Sequence, residues 1–600
     1  MKGNGMNTFG IGATVTIYTK GLQQTLQNFP TRGFQSCVEP VLNFGLDSIY
    51  TIDSMVVVWP DLAMQRIYNI SADKKMTLRQ SDAKGKFKRP ANKPVPLFSN
   101  VTNKTVHGNV MHRENQFIDF DRERLIPHLL STEGPKTAVA DINGDGLEDF
   151  VIGAAKHDTA KVFLQTSTGH FTQLAPQPAF QQDADFEDAG MAFLDVDNDG
   201  DSDLVIASGG NLDMEGSALL QPRLYINNGK GIFERDNKRL PSLSVNASCI
   251  KILDFNGDGN PDLFIGGRSV PGQYGVIPQS YLLLNDHGVF KDVTAESAPG
   301  LQMPGMVTDA VWADIDNDGK KELVVVGEWM PVTVFKNENG HLKLSETLNK
   351  QFVFTEGWWN CIQAVDLNND GRLDLIAGNL GLNTKIKADS LHPARVYIND
   401  FDKNGIEECV LTYYKSDGKS YPYYQKNDLT AQIPALRKKF LKHSVYAGKT
   451  IGDIFDRDQL QSAVVKNAFE FRSCAFINRG NGMFEKQPLP KEAQFSPVYA
   501  ILVDDFDEDG RQDILLAGNF FGLKPELGRY DASYGVFYHG LPNGEWRYGS
   551  PENSGFFYKG EARDLGRIKS IAGQKLILLA RNNDSLLLFK QSEQKMQNKN

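Results

Sequence analysis

Short apolar segments recur along the chain from about residue 137, separated by acidic or glycine-rich turns. In each repeat an apolar segment runs into an aspartate, and an acidic loop leads to a second apolar segment such as FVIGAA. An aromatic segment such as LYINNGKGIF follows. Apolar runs of this length bounded by turn residues are typical of strands. The first five loops are 54, 59, 60 and 52 residues apart, which suits one four-stranded unit each. The pattern predicts an all-β fold, a β-propeller.

The number of blades depends on how the end of the chain is interpreted. Counting strands favours seven blades, and eight if residues 563–590, which lack an acidic loop, form a blade of their own. The regular spacing also breaks once, because the loop at Asp400 follows its predecessor by 34 residues and precedes the next by 105. We predict an insertion at about 411–465, helical in composition, with Asp428 as a helix N-cap.

The N-terminal part has a different composition from the repeats. Good strand candidates are GATVTIYT and SMVVVWPD, with MTLRQ as a third. A stretch rich in Lys, Pro and Asn without apolar period then indicates a linker. The expected boundaries are 1–80 for a small β domain, 81–106 for the linker, 107–592 for the propeller and 593–600 for a tail.

Charge and termini narrow the functional classes. The 600 residues carry a formal net charge of −10, so no basic excess exists for a nucleic-acid partner. No run approaches the roughly 18 apolar residues of a membrane-spanning helix. The first residues lack the apolar segment of a signal peptide and lead directly into a strand. We therefore expect a truncated or split product whose export signal lies upstream. The five cysteines are scattered singly, which favours small buried side chains over a disulfide framework or a zinc site.

The acidic loops have the composition of calcium sites. They follow a nine-residue pattern, D-x-[D/N]-x-[D/N]-G-x-x-[D/E], and calcium binds six to eight hard oxygens. Side chains at positions 1, 3, 5 and 9 and the carbonyl at position 7 are the expected ligands, and Gly at position 6 permits a left-handed turn. In that order the predicted ligands are Asp141, Asn143, Asp145, Leu147, Asp149; Asp195, Asp197, Asp199, Asp201, Asp203; Asp254, Asn256, Asp258, Asn260, Asp262; Asp314, Asp316, Asp318, Lys320, Glu322; Asp366, Asn368, Asp370, Arg372, Asp374; Asp400, Asp402, Asn404, Ile406, Glu408; and Asp505, Asp507, Asp509, Arg511, Asp513.

The EF-hand is the main alternative, and the sequence excludes it. That motif needs flanking helices and a glutamate at position 12, where these loops carry an apolar residue within a β-type run, such as Ile152 or Leu516. We expect about six or seven bound Ca²⁺ ions, the doubtful one being at Asp400. Three or four carboxylates in one loop repel each other without a cation. We therefore expect structural ions whose binding is coupled to folding, with no catalytic residue among them.

These motifs resemble a known family. The loop repeats look like FG-GAP/VCBS repeats, which also occur in integrin α-chain heads. The N-terminal unit resembles the ASPIC/UnbV domain in its GIGATV start, its FGL and its VVVWP. Together they are similar to the cartilage-acidic-protein-like family, in the long version found in Bacteroidetes. The resemblance implies an exported, extracellular or cell-surface protein, outer-membrane-associated, that binds calcium and serves adhesion to a glycan or protein ligand. It also implies an upstream propeller absent from this chain.

Other side chains leave a second function class open. Tyrosines and basic residues in the insertion could contact sugars or anions, or form a packed cap: Tyr413, Tyr414, Tyr421, Tyr423, Tyr424, Arg437, Lys438 and Lys439. The same two roles, ligand contact or structural packing, are open for Trp358, Trp359 and the Arg529–Asp531 segment. The protein is not expected to be an enzyme, but a calcium-dependent polysaccharide lyase is the alternative. The Asp400 loop beside the tyrosines is where its site would lie.

Overall fold

The computed structural model describes residues 1–88 and 95–592 and divides the chain into two compact units, 1–95 and 96–600. In the first unit, alternate apolar residues of the strands pack on one face around Trp59. Its five-stranded sheet has the spatial order Leu22–Gln27, Thr14–Thr19, Thr51–Val58, Ala63–Ser71 and Gly85–Lys86. A separate two-stranded hairpin pairs Thr31–Gly33 with Ser36–Cys37.

The sequence placed two of these strands correctly and a third wrongly. The MTLRQ segment is not a strand. Its Leu78 fills the core while Arg79 forms only an isolated bridge with Lys2. The strands Leu22–Gln27 and Ala63–Ser71 were missed because polar side chains interrupt their apolar pattern. The predicted linker is also too long, since Gly85–Lys86 belongs to the first sheet and Phe98–Asn100 to the last sheet of the second unit. Part of that linker, 89–94, and the predicted tail, 593–600, lie outside the described residues.

The second unit is an all-β propeller. Seven antiparallel sheets, here blades one to seven, are built on four strands each, and their first strands are neighbours in cyclic order, so that blade seven packs against blade one. In chain order the blade strands are Thr137–Ala140, Asp149–Ile152, Lys161–Gln165 and Phe171–Gln173; Asp188–Leu194, Asp203–Ser208, Arg223–Asn227 and Phe233–Asp236; Ala247–Leu253, Asp262–Gly267, Tyr281–Asp286 and Val289–Asp292; Met306–Ala313, Glu322–Met330, Thr333–Asn337 and Leu342–Leu344; Cys361–Val365, Asp374–Gly378, Cys474–Gly480 and Met483–Pro488; Val498–Asp504, Asp513–Gly518, Val536–Gly540 and Trp546–Gly549; and Glu561–Lys569, Lys575–Asn582, Leu587–Gln591 with Phe98–Asn100.

Two short strands extend individual blades, and one strand closes the ring. Val106–His107 pairs with the outer strand of blade one, and Gly357–Trp358 pairs with the second strand of blade four. Phe98–Asn100 comes from the start of the unit and completes blade seven, whose other three strands come from the end. The two ends of the propeller are therefore held together by backbone hydrogen bonds within one sheet.

The hydrophobic core lies between neighbouring blades. Val151 of blade one packs with Leu204 and Tyr225 of blade two, and the same arrangement is repeated around the ring. Phe150 of blade one packs with Leu578 of blade seven and so closes the series. The central residues of each second strand are apolar because both faces of the strand are covered, which explains continuous runs such as LVVV.

An insertion separates the second and third strands of blade five and spans 379–473. It contains its own four-stranded sheet, in the order Ser420–Pro422, Glu408–Tyr414, Ala394–Asn399 and Val464–Ala468. The predicted insertion at 411–465 therefore starts too late. The Asp400 loop belongs to the inserted sheet and not to a blade, which is the physical reason for its irregular spacing.

Helices are short, and most lie in connections. Asp428 lies inside the first turn of a helix whose N-cap is Gln425, so its assignment as an N-cap was wrong. Asp456 does cap a helix, with Gln459 completing a capping box. The α-helices are Thr102–Thr105, Asp119–Arg122, Pro178–Gln182, Thr294–Ser297, Glu346–Asn349, Lys426–Gln432, Leu436–Lys439, His443–Tyr446, Ile451–Ile454, Arg457–Ser462 and Pro551–Ser554. The 3-10 helices are Gln80–Asp82, Ala218–Leu220, Pro299–Leu301, Lys350–Phe352, Lys491–Gln494 and Pro525–Leu527. Within the described part of the chain, no helix has the length and apolar character needed to cross a membrane.

Candidate metal centres

Six acidic loops join the first and second strands of blades one to six, and the seventh joins two strands of the inserted sheet. Positions 1 and 5 shape the turn. In the first loop, Asp141 accepts backbone hydrogen bonds from Asp145 at 3.2 Å and from Gly146 at 2.8 Å, and Asp145 accepts one from Leu147 at 2.9 Å. The other loops repeat these contacts with the corresponding residues. The side chains at positions 1 and 5 thus hold the backbone in a wrapped form.

The backbone is left-handed at two positions of each loop. Gly at position 6 was predicted, and Gly146 has a φ of +83°. Position 4 is left-handed as well, which was not predicted from the sequence. The sequence does contain a pattern that predicts this conformation. The first five loops have Gly or Asn at position 4, and these residues tolerate a left-handed backbone best. Lys403 and Glu508 occupy it in the last two loops, with φ of +62° and +58°.

In five blades the aspartate at position 9 ties the loop to the third strand. Asp374 accepts a hydrogen bond from the loop amide of Leu367 at 2.9 Å and another from Asn478, on the third strand, at 2.7 Å. All seven position 9 side chains are buried. Burial raises the pKa of Asp149, Asp203 and Asp374 to about 6, and that of Asp262, Glu322, Glu408 and Asp513 to about 7. An ionised carboxylate has about four acceptor positions, so these contacts leave lone pairs for an ion.

Several loop carboxylates have a buried oxygen without a hydrogen-bond partner. These oxygens occur at position 3 of three loops and at position 9 of two, where a glutamate replaces aspartate. They belong to Asp197, Asp402, Asp507, Glu322 and Glu408. Burying an acceptor without a partner costs free energy, so these oxygens are suited to bind a cation. Potential ligand atoms also lie within 4.8 Å of one another in Asp195/Asp197/Asp199, Asp314/Asp316/Glu322, Asp400/Asp402/Glu408, Asp505/Asp507/Asp509 and Asp507/Asp513/His539. These residues fit a divalent cation.

Basic side chains of the protein reach into some of the loops. Lys336, on the third strand of blade four, bonds to Asp316 and lies 3.0 Å from Asp318. Its hydrogen bond to Asp316 raises the pKa of Lys336. Arg239 lies 2.7 Å from Asp197 in the second loop. In the Asp366 and Asp505 loops, the arginine at position 7 forms an ion pair with the aspartate at position 5, Arg372 with Asp370 and Arg511 with Asp509. The loops therefore differ in how much negative charge is left for an ion.

An asparagine at the end of most third strands links neighbouring blades. Asn478 of blade five donates from Nδ2 to the carbonyl of Ile315, in the loop of blade four, at 2.8 Å. Asn227, Asn285 and Asn337 make the same contact to the preceding blade. These asparagines were not predicted from the sequence, although the repeated aromatic segments show them as YIN, LLN, FKN and FIN.

The other candidates from the sequence are divided between core and surface. Trp358, Trp359, Tyr423 and Tyr424 are buried and pack inside the protein. Tyr413, Tyr414 and Tyr421 remain partly exposed on the inserted sheet. Four cysteines are buried, as predicted, whereas Cys37 is exposed.

Comparisons with known proteins agree with this architecture. Residues 3–85 match the ASPIC and UnbV family, and residues 141–206, 195–265, 254–325 and 314–377 match the FG-GAP-like repeat. Integrin alpha-4 of Xenopus laevis is 31% identical over 150 residues, which are 22% of this chain and 14% of the integrin. The chain thus matches only a small part of the length of that relative.

Solved structures give weaker similarities. YCF48 bound to D1 peptide has a TM-score of 0.36 at 8% identity, covering 78% of this chain and 96% of that chain. The V. cholerae biofilm matrix protein Bap1 has a TM-score of 0.33 at 11% identity, covering 80% and 90%. The family assignment rests on the two family models and on the repeats themselves. The chain is an FG-GAP-repeat β-propeller protein that carries an ASPIC and UnbV domain.

Proposed function

We propose that the acidic loops bind structural calcium ions and that the propeller serves as an adhesion or ligand-binding module outside the cell or at its surface. The observation that carries the calcium proposal is the set of buried, unpartnered carboxylate oxygens at positions 3 and 9. Calcium prefers carboxylate and carbonyl oxygens at flexible geometry, which is what these loops offer. A bound ion would supply the positive charge that loops of three or four carboxylates lack.

The loops with fewest internal cations are the best calcium candidates. In the first and third loops, the amides of Asn143 and Asn256 are the hydrogen-bond partners of the position 5 aspartates. The Asp400 loop combines two unpartnered oxygens, on Asp402 and Glu408. An ion there would hold the inserted sheet together, not a blade. We therefore propose this loop as an occupied site, despite its irregular spacing.

Counting ions in the intact protein tests the calcium proposal. Native mass spectrometry at micromolar calcium should show several ions per chain, and Glu408→Gln should lose one of them. Glu407→Gln is the matched control, because Glu407 is the exposed neighbour and should leave the count unchanged. A wild-type protein that binds no calcium, or identical counts in both variants, would contradict the proposal.

Two observations support a role in adhesion. The first is the similarity to integrin alpha-4, which is 31% identical over 150 residues and supports a ligand-binding propeller. The inserted sheet also presents Tyr413, Tyr414 and Tyr421 at its surface, beside Lys385 and Lys415. Aromatic faces with nearby cations suit sugar rings and anionic groups.

A binding screen against immobilised glycans and surface proteins, with calcium and with EDTA, tests the adhesion role. We expect a calcium-dependent ligand whose binding is weakened by Tyr414→Ala. Tyr68→Ala, at an exposed tyrosine of the first unit, is the control. Equal loss of ligand binding in both variants would show that the inserted sheet is not the contact surface.

A calcium-dependent polysaccharide lyase is the second candidate. Glu408–Tyr414 begins in the Asp400 loop and ends at two surface tyrosines, so a metal and a sugar-binding surface would share one strand. Incubation with uronic-acid polymers tests it. Unsaturated products that absorb in the ultraviolet would show that the protein is a lyase and not only a binding module. Intact polymer would exclude lyase activity on those substrates.

A further inference from the structure

In blades four and six, one residue of the third strand contacts position 3 of the acidic loop, and in blade six that residue is a histidine. Strand pairing places Lys336, Ile477 and His539 at equivalent positions, each following an aromatic residue paired with the second strand. Leu164 and Leu284 hold this position in blades one and three. Four of the six blades have an aliphatic residue there, and blade six has an imidazole.

The imidazole of His539 lies among carboxylates of the Asp505 loop. Its Nδ1 is 3.2 Å from Oδ2 of Asp507, and potential ligand atoms of Asp507, Asp513 and His539 lie within 4.8 Å of one another. Two ligands each about 2.1 Å from a tetrahedral ion would lie roughly 3.4 Å apart, so one metal ion fits between them.

The cluster of Asp507, Asp513 and His539 is buried, and one of its hydrogen-bond acceptors has no partner. The side chains of His539 and Asp507 are only 9% and 10% exposed, and Asp513 is fully buried. The second oxygen of Asp507, Oδ1, is buried without a hydrogen-bond partner. The hydrogen bond between His539 and Asp507 therefore leaves one buried acceptor of Asp507 without a partner.

The ligand set differs from that of the other acidic loops by including a nitrogen ligand. Arg511 forms an ion pair with Asp509 and neutralises position 5. The remaining side-chain ligands are Asp505, Asp507, Asp513 and one imidazole. Calcium wants six to eight oxygens, whereas zinc binds about four nitrogen, sulfur or oxygen ligands and accepts imidazole readily.

We propose that the Asp505 loop, with His539, is a site for a zinc-like transition-metal ion and not for calcium. The metal would join Asp507 and Asp513 of the loop to His539 of the third strand. This assignment rests on the proposed function only because it treats the acidic loops as metal sites. It assigns a different metal ion to one of these loops.

Zinc binding in the presence of millimolar calcium tests the assignment. Tag-free full-length protein competes with a chromogenic zinc chelator, and wild type should take up one tightly held Zn²⁺ per chain. His539→Leu should weaken that site at least 100-fold. Leucine is native at this position in blades one and three, so the blade should fold.

A second pair of histidines provides the control. His107 and His170 are exposed and lie 3.4 Å apart, so they are an alternative zinc site. His170→Ala should leave the tight zinc site intact. Loss of tight zinc binding in His170→Ala, or equal zinc affinity in wild type and His539→Leu, would overturn the assignment.

The test also separates this assignment from the calcium proposal. Wild type that binds several calcium ions but no tight zinc refutes the zinc site alone. Wild type that binds one zinc through His539 but no calcium refutes the calcium proposal and leaves the zinc site standing.

Discussion

The ammonium of Lys336 lies 3.0 Å from the carboxylate of Asp318, inside the acidic loop of blade four. It also bonds to Asp316, so one lysine spans positions 3 and 5. A side-chain cation there competes with a metal ion for the same carboxylates. Blade four therefore has a partial internal substitute for its ion, unlike blades one and three.

Lys336→Met should increase the calcium affinity of the Asp314 loop about 10-fold or more and destabilise the calcium-free protein, because the carboxylates lose their counter-charge. Calcium titration followed by native mass spectrometry measures the first effect, and urea unfolding in EDTA measures the second. Lys343→Met is the control, since Lys343 forms an exposed ion pair with Glu338 and not with a loop carboxylate. Weaker calcium binding in Lys336→Met would show that the lysine supports the ion site.

The sequence was sufficient to predict the propeller and its loops, because the loop pattern is local and repeats with the blade. Gly146 and Asp149 could be assigned to positions 6 and 9 without any structure. The basic side chains and the histidine near the loops, and the asparagines that link neighbouring blades, could not be predicted. Lys336, His539 and Asn478 contact their loops only through strand pairing and blade contacts. The same limit applies to the Asp400 loop, whose place in an inserted sheet depends on which strands pair.

Asn478→Ala tests the link between blades. The change removes the hydrogen bond to Ile315 and leaves a buried carbonyl without that donor. We expect a loss of about 1–3 kcal/mol in the free energy of unfolding, measured by urea denaturation in calcium. Arg479→Ala, next in sequence, removes only an exposed ion pair with Glu485 and should cost less than about 1 kcal/mol. Equal stability of the two variants would show that the hydrogen bond of Asn478 to the preceding blade does not stabilise the protein.

Glu508→Asn tests the left-handed backbone at position 4. Glu508 has a φ of +58°, a conformation that asparagine adopts with less strain. The variant should be more stable than wild type by about 0.5–1 kcal/mol, seen as a higher melting temperature. Glu545→Asn, at another exposed site, should give no gain. A lower melting temperature for Glu508→Asn would mean that the glutamate has a role beyond the turn.

His112 makes stability depend on pH away from the metal loops. Burial, and then the charge of Lys161, lower the pKa of His112 from 6.5 to about 3. Below pH 6.5 the unfolded chain takes up a proton that the folded protein refuses, so the stability contribution is complete above pH 6.5 and falls as the pH drops toward 3. His112→Gln should reduce the stability loss between pH 7 and pH 5 by about 2 kcal/mol in urea unfolding.

An exposed histidine serves as the control for this pH effect. His287→Gln is the matched substitution, because the ring that it replaces is 90% exposed. If His112→Gln and wild type lose the same stability on acidification, then His112 is protonated in the folded protein.

Calorimetric melting of the full-length chain in calcium and in EDTA tests the central claim most directly. If each ion binds the folded state alone, a concentration of about 100 times the dissociation constant adds about 2.7 kcal/mol per site. Several sites together should therefore raise the melting temperature of the propeller by about 10 °C or more. The account predicts this shift, its reversal by EDTA and its recovery when calcium is restored. An identical melt in calcium and in EDTA would contradict it.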